Sequence, residues 1–210
     1  MSAGADPLDA GALIAALHRH AVDYVVIGGI ALQAHGHIRT TQDLDIIAAW
    51  TPDNLTRVAA ALGDLDARLR GVDADLLDID LTSADDLYQG ANFLVHTRHG
   101  DLDIFTVADT PGAPRRYETL RQHAIPIEIR GITVLIAHAD HLIRMKTAAA
   151  ALRDRSGAKR NQDLDDVAVL TRLLDADRPE SGPAAPLRRP NPTRRVSPGP
   201  PRRLGPTLEP

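Results

Sequence analysis

Cysteine is absent from the 210 residues, which excludes disulfides, thiolate zinc centres and cysteine nucleophiles from the outset. Aromatic residues make up only 3% of the chain, so a core has to be assembled from Ala, Leu, Ile and Val. No apolar run approaches the roughly 20 residues of a membrane span, and no membrane partner is expected. The first residues include Asp6 and Asp9 and lack a basic stretch, which argues against a secretory signal and makes the cytoplasm the expected compartment. Positive charge is short in the body of the chain. The net charge is −4, but residues 178–210 hold seven Arg against two Glu, a net +5, which leaves −9 on residues 1–177.

That last segment also carries ten of the fifteen prolines and no apolar period. It cannot bury enough surface to offset the entropy of ordering. The sequence therefore divides into a globular domain, 1–177, and a disordered Pro/Arg-rich tail, 178–210. The tail's three Arg-Arg pairs suit contact with RNA phosphates, although a solubilising tail is the simpler reading.

Apolar spacing in the domain predicts a helix over 8–20 and short strands over 23–27 and 44–48. Thr51-Pro52-Asp53 starts a helix reaching about residue 62, and Ser83 caps a shorter one ending near Gly90. Residues 64–80 are acidic and carry no clear period. Strands over 92–98 and 101–107 meet at His99-Gly100, and strands over 125–130 and 132–137 meet at Gly131. Helices are expected over 114–122, 138–152 and 162–174, with a polar break at 154–161. This order predicts an α/β fold of the mixed, α+β kind: a mixed sheet with flanking helices and a helical C-terminal part.

The chemistry concentrates in YVVIGGIALQAHGHIRTTQDLDII, residues 24–47. A strand runs into Gly28-Gly29, a helix follows, and Arg39-x-Thr41-x-Asp43-x-Asp45 leads into the next strand. Side chains alternate along a strand, so Asp43 and Asp45 share a face. Two such carboxylates repel unless a cation or protons sit between them, and an oxygen-rich pair suits Mg²⁺ with substrate phosphates. Gly28 and Gly29 let backbone N–H groups approach a phosphate closely. DxD pairs recur elsewhere in the chain, Asp78-Ile79-Asp80 and Asp101-Leu102-Asp103 among them. Asp78-Ile79-Asp80 sits in an acidic run without a glycine turn and reads as solvated surface. On the strand after the hairpin, Asp103 lies between Leu102 and Ile104, where a charge needs a reason, whereas Asp101 beside Gly100 is explained as a turn residue. The histidines, His35-x-His37 included, match no zinc spacing and receive no role.

Gly28-Gly29 with Arg39-x-Thr41-x-Asp43-x-Asp45 resembles the signature of the nucleotidyltransferase superfamily, whose fold is the DNA polymerase β-like one. Within it, GGIALQAHGHIRTTQDLDI is similar to the AbiEii/MenT-like, toxin-type enzymes. The resemblance covers roughly 23–174 and is strongest at 24–47. It implies a nucleotidyltransferase-fold sheet, a nucleoside triphosphate as co-substrate and Mg²⁺ as cofactor. It further implies metal ligation by Asp43, Asp45 and a third carboxylate, for which Asp103 is chosen and Asp101 is the fallback. Gly28, Gly29, Arg39 and Thr41 would bind the nucleotide. Lys146 would stand near the phosphates, and Lys159-Arg160-Asn161-Gln162-Asp163-Leu164-x-Asp166 resembles the start of the family's last helix. Ile30 departs from the Ser or Thr that many relatives carry there. For toxin-type members the acceptor is RNA such as tRNA, or a protein, and a cognate antitoxin is the implied partner. The acidic body suits instead a small polar acceptor such as an aminoglycoside, and a non-catalytic nucleotide-binding module is a third reading.

Overall fold

The computed structural model describes residues 7–71, 74–90, 92–105, 113 and 116–177. Asp9 opens α1 (Ala10–Arg19), its carboxylate accepting the Ala12 N–H at 3.0 Å, one of the donors that a helix start leaves free. Leu13, Ile14 and Leu17 give α1 a fully buried stripe. The chain then passes through β1 (Tyr24–Ile27), turns at once into α2 (Gly28–Ala34) and returns as β2 (Asp43–Ala48). Thr51 caps α3 (Pro52–Asp64) by accepting the Asn54 N–H at 3.3 Å. Asn54 is itself fully buried yet satisfied. Its side chain accepts the Asp23 N–H at 2.8 Å and donates to the Asp23 and Ala49 carbonyls at 2.9 Å, lashing α3 to the ends of β1 and β2.

The two-residue β3 (Arg68–Leu69) is followed by a single 3₁₀ turn (Ala74–Leu76) and α4 (Ala84–Gln89). β4 (Phe93–Thr97) and β5 (Gly100–Phe105) form a hairpin, and after α5 (Tyr117–His123) a second one pairs β6 (Ile125–Ile129) with β7 (Ile132–Ile136). Helices α6 (Ala139–Ala150) and α7 (Gly157–Asp177) pack on each other.

The seven strands among the described residues join one mixed sheet, ordered β3-β4-β5-β2-β1-β7-β6. The β2/β5 and β1/β7 pairs are parallel and the other four antiparallel. In the β2/β5 register, Asp43 lies opposite Asp101 and Asp45 opposite Asp103. Directly opposed residues share a face, so all four carboxylates emerge on one side. Leu44, Ile46, Leu102 and Ile104 turn to the other, into a core shared with Leu13, Ile14 and Leu17 of α1 and Leu55, Val58 and Leu62 of α3. No described helix is long and apolar enough to cross a membrane.

The predicted mixed α/β class with C-terminal helices is the observed one, and two elements differ. β3 falls in the acidic stretch and is too short to show any period. Helix α7 begins at Gly157 and not at residue 162, because Ser156 starts it. Its hydroxyl accepts the Lys159 N–H at 3.4 Å and its carbonyl the Arg160 N–H at 2.9 Å. The expected polar break thus contains a helix start. Arg160 turns back to donate to the Ala150 and Leu152 carbonyls at 3.0 and 2.9 Å, which satisfies the end of α6. Residues 106–107 of the expected strand, 114–115 of the expected helix and the whole of 178–210 lie outside the described residues.

Candidate active site

Asp43, Asp45 and Asp103 each offer a carboxylate oxygen, and the three oxygens lie within 4.8 Å of one another. Asp101, in the same row as Asp43, lines the same cleft but is not one of the trio: His96 Nδ1 holds it at 2.8 Å and Arg70 Nε stands 3.5 Å away. Asp78 and Asp80 stay out of the cleft, Asp80 accepting the Thr82 N–H and hydroxyl at 2.8 and 2.6 Å. The convergence follows from the parallel register, which sets Asp45 beside Asp103 at the strand spacing of about 4.8 Å.

Such crowding is costly for three negative charges. Burial, followed by the neighbouring Asp43 and Asp103, pushes Asp45 up to about 7. Burial also pushes Asp103 up, against the pull of Arg70. Folding of the metal-free protein therefore takes up a proton on Asp45 between its ordinary value of 3.8 and about 7. The stability this contributes is complete below the lower value and is lost as pH rises through the upper. In EDTA, the melting temperature is expected to fall between about pH 5 and about pH 8, and to fall less in Asp45→Asn. Thermal unfolding of both proteins across that range checks this; parallel curves would refute it.

The turn before the motif is shaped around these groups. Gly28 has φ +62°, and a Cβ there would stand 1.8 Å from Asp45 Oδ2, so only glycine fits. A Cβ on Gly29 would meet Thr41 Oγ1 at 2.2 Å. Thr41 donates to Asp43 Oδ1 at 3.1 Å, which fixes that carboxylate's rotamer. The Gly29 N–H, expected to serve a phosphate, is directed at Asp45 and favours its ionised form. Ile30 is half-buried and packs on the core, which accounts for an apolar residue after the glycines.

Opposite the sheet, α6 and α7 supply a basic wall. Lys146 Nζ lies 3.0 Å from Asp163 and 2.9 Å from Asp166, both 1% exposed. Asp166 also holds His37 Nε2 at 2.9 Å and Arg39 Nε at 3.3 Å, while Asp163 holds Arg155 Nη2 at 2.6 Å. Residues 163 and 166 are one helical turn apart and face the same way. Arg39 and Lys146 thus stand in the cleft as fixed cations, close enough for Lys146 to favour ionised Asp45. The cleft measures about 730 Å³ and has five cations on its lining: Arg39, Arg70, Lys146, Arg155 and Lys159. Sequence reasoning assigned no role to Arg70, Arg155, His37, Asp163 or Asp166. The likeness of 159–166 to a family helix pointed at the two aspartates without their task, and nothing in the sequence pointed to Arg70.

No family model matches the chain, and no curated protein matches it. Its structure is similar to those of nucleotidyltransferases. One is the lincosamide antibiotic adenylyltransferase LnuA with lincomycin bound, at 10% identity over 79% of this chain and 99% of that chain, TM-score 0.49. Another is ANT(2'')-Ia in complex with adenylyl-2''-tobramycin, at 17% identity over 78% and 94% of the two chains, TM-score 0.43. A third is an antigenic nucleotidyltransferase-like protein from Paracoccidioides brasiliensis, at 16% identity over 80% and 79%, TM-score 0.49. No residue role and no substrate passes from these proteins to this chain.

Proposed function

We propose that the chain is a metal-dependent nucleotidyltransferase, moving a nucleoside monophosphate from a nucleoside triphosphate to an acceptor hydroxyl. The convergence of Asp43, Asp45 and Asp103 beneath a wall of fixed cations carries this reading. The donor set fits Mg²⁺: every ligand atom is a carboxylate oxygen, and burial together with the neighbouring Asp43 and Asp103 penalises the charge on Asp45, which a cation would offset. When bound by these three residues, Mg²⁺ supplies Lewis-acid stabilisation of the charge shared between α-phosphate and leaving group.

The remaining roles belong to the protein. Arg39 and Lys146, anchored by Asp166, face the phosphates and offset the charge that grows on the leaving pyrophosphate. Gly28 keeps the strand-to-helix turn open to the phosphates. Asp103, beside Asp45 on the neighbouring strand, takes the proton of the acceptor hydroxyl as its oxygen attacks the α-phosphorus. A new P–O bond forms, the bond to the β-phosphate oxygen breaks, and pyrophosphate leaves with the electron pair.

The acceptor favoured here is a small polar molecule bearing hydroxyl and amine groups. The cleft's volume of about 730 Å³ is that of a small-ligand site, and the net −9 over 1–177 disfavours an RNA backbone. The AbiEii/MenT-like alternative, with tRNA as acceptor and an antitoxin partner, is supported by the motif at 24–47 and the arginine pairs beyond residue 178. Radiolabel transfer from each α-labelled nucleotide, with aminoglycosides and lincosamides in one arm and total RNA in the other, tests both. Label on a small acceptor supports the favoured reading, and label on RNA moves the acceptor to the toxin type. Nucleotide binding without pyrophosphate release in either arm overturns catalysis and leaves a binding module.

A further inference from the structure

Arg70 is positioned to do more than tie an edge strand. Its N–H donates to the Leu94 carbonyl at 2.8 Å, which extends the β3/β4 pairing by a step. Leu94 lies opposite Asp103, and Asp103 opposite Asp45, so Arg70 heads a row that runs across the sheet into the carboxylate cluster. Its side chain crosses β4 and places Nη2 on Asp103 Oδ1, with Nε 3.5 Å from Asp101 Oδ2. Asp103 is 6% exposed, and Arg70 is the one basic side chain ion-paired with it among the described residues. The oxygen that Arg70 holds belongs to a carboxylate of the triad.

Resting on the metal-site reading above, we propose that Arg70 is a built-in counter-cation that competes with the divalent ion for Asp103 and keeps the nucleotide-free site from loading metal tightly. A fixed positive charge a few ångströms from a divalent site lowers its cation affinity roughly tenfold or more. Arg70 is about one-third exposed, so the guanidinium has solvent to move into when it gives up Asp103. In this arrangement metal loads well only when a polyanionic substrate enters with it, which protects the empty site from idle occupancy. Arg70 is then a positioning residue, and metal affinity, not turnover, reports its role.

The test is Mn²⁺ binding to the full-length, EDTA-stripped, nucleotide-free chain, read by electron paramagnetic resonance. Arg70→Met is expected to bind Mn²⁺ roughly tenfold more tightly than wild type, and Arg70→Lys within about threefold of it. If Arg70→Met does not fold, Arg70→Gln is read in its place. Unchanged or weaker binding in the charge-removed variant overturns the proposal. Equal binding in all Arg70 variants, lost in Asp43→Asn/Asp45→Asn, sinks this inference while the metal site stands. No Mn²⁺ on any of them sinks the metal-site reading, and this inference with it.

Discussion

Replacing Asp43 and Asp45 together by Asn is expected to reduce nucleotidyl transfer by about a thousandfold or more, while raising the melting temperature of the metal-free protein. The two effects have one origin. Asn keeps the shape of each side chain, so Thr41 retains an oxygen to donate to and Gly28 still faces a planar group. What disappears is the negative charge that would hold the cation in the proposed enzyme, and with it about 4 kcal/mol or more of transition-state stabilisation. In the metal-free protein burial, and after it the repulsion among the same charges, pushes Asp45 up to about 7. Removing them relieves the repulsion and abolishes the loss of stability on raising the pH through that value. Turnover at saturating Mg²⁺ and nucleotide, beside thermal unfolding in EDTA, measures both. Transfer within about tenfold of wild type would sink the assignment of these residues.

Much of this site could be read from the chain because its parts lie close in sequence. The turn, the two aspartates and Thr41 fall within 28–45, where strand alternation alone puts Asp43 and Asp45 on one face. Asp103 needed a further step: a charge between Leu102 and Ile104 is anomalous on a strand, and the parallel β2/β5 register is what brings it to Asp45. Arg70 was beyond reach. Its placement depends on a two-residue edge strand pairing with β4, and so short a segment carries no periodicity. The start of α7 was misplaced for a different reason. Ser156 precedes a run of polar and charged residues, and a helix with no apolar stripe at its N-terminal end resembles a loop until its packing partner is known. Asp163 and Asp166 fall within the expected helix, but their task as buried anchors depends on partners on α6 and in the Arg39 loop.

Asp166→Ala is expected to destabilise the protein by about 3 kcal/mol, a melting-temperature loss on the order of 6–12 °C. One carboxylate, 1% exposed, receives His37 from the loop after α2, Arg39 from the motif and Lys146 from α6. Truncation leaves these groups facing one another across a void, and the cost of breaking a buried ion pair is set mostly by the charge left behind. The cost stays near 3 kcal/mol, at the low end for a broken buried ion pair, because Lys146 keeps Asp163 and both cations reach solvent, at 17% and 20% side-chain exposure. Activity should suffer in a particular way. Arg39 and Lys146 are held at the cleft by this residue, so the nucleotide KM is expected to rise roughly tenfold even at temperatures where the variant stays folded. Asp166→Asn retains an acceptor for His37 without the charge and should fall between the two. Unfolding curves and nucleotide titrations on the three proteins decide the matter. An Asp166→Ala variant that melts with wild type would show that α7 is held by its other contacts, and an unchanged KM would show that the cations need no anchor.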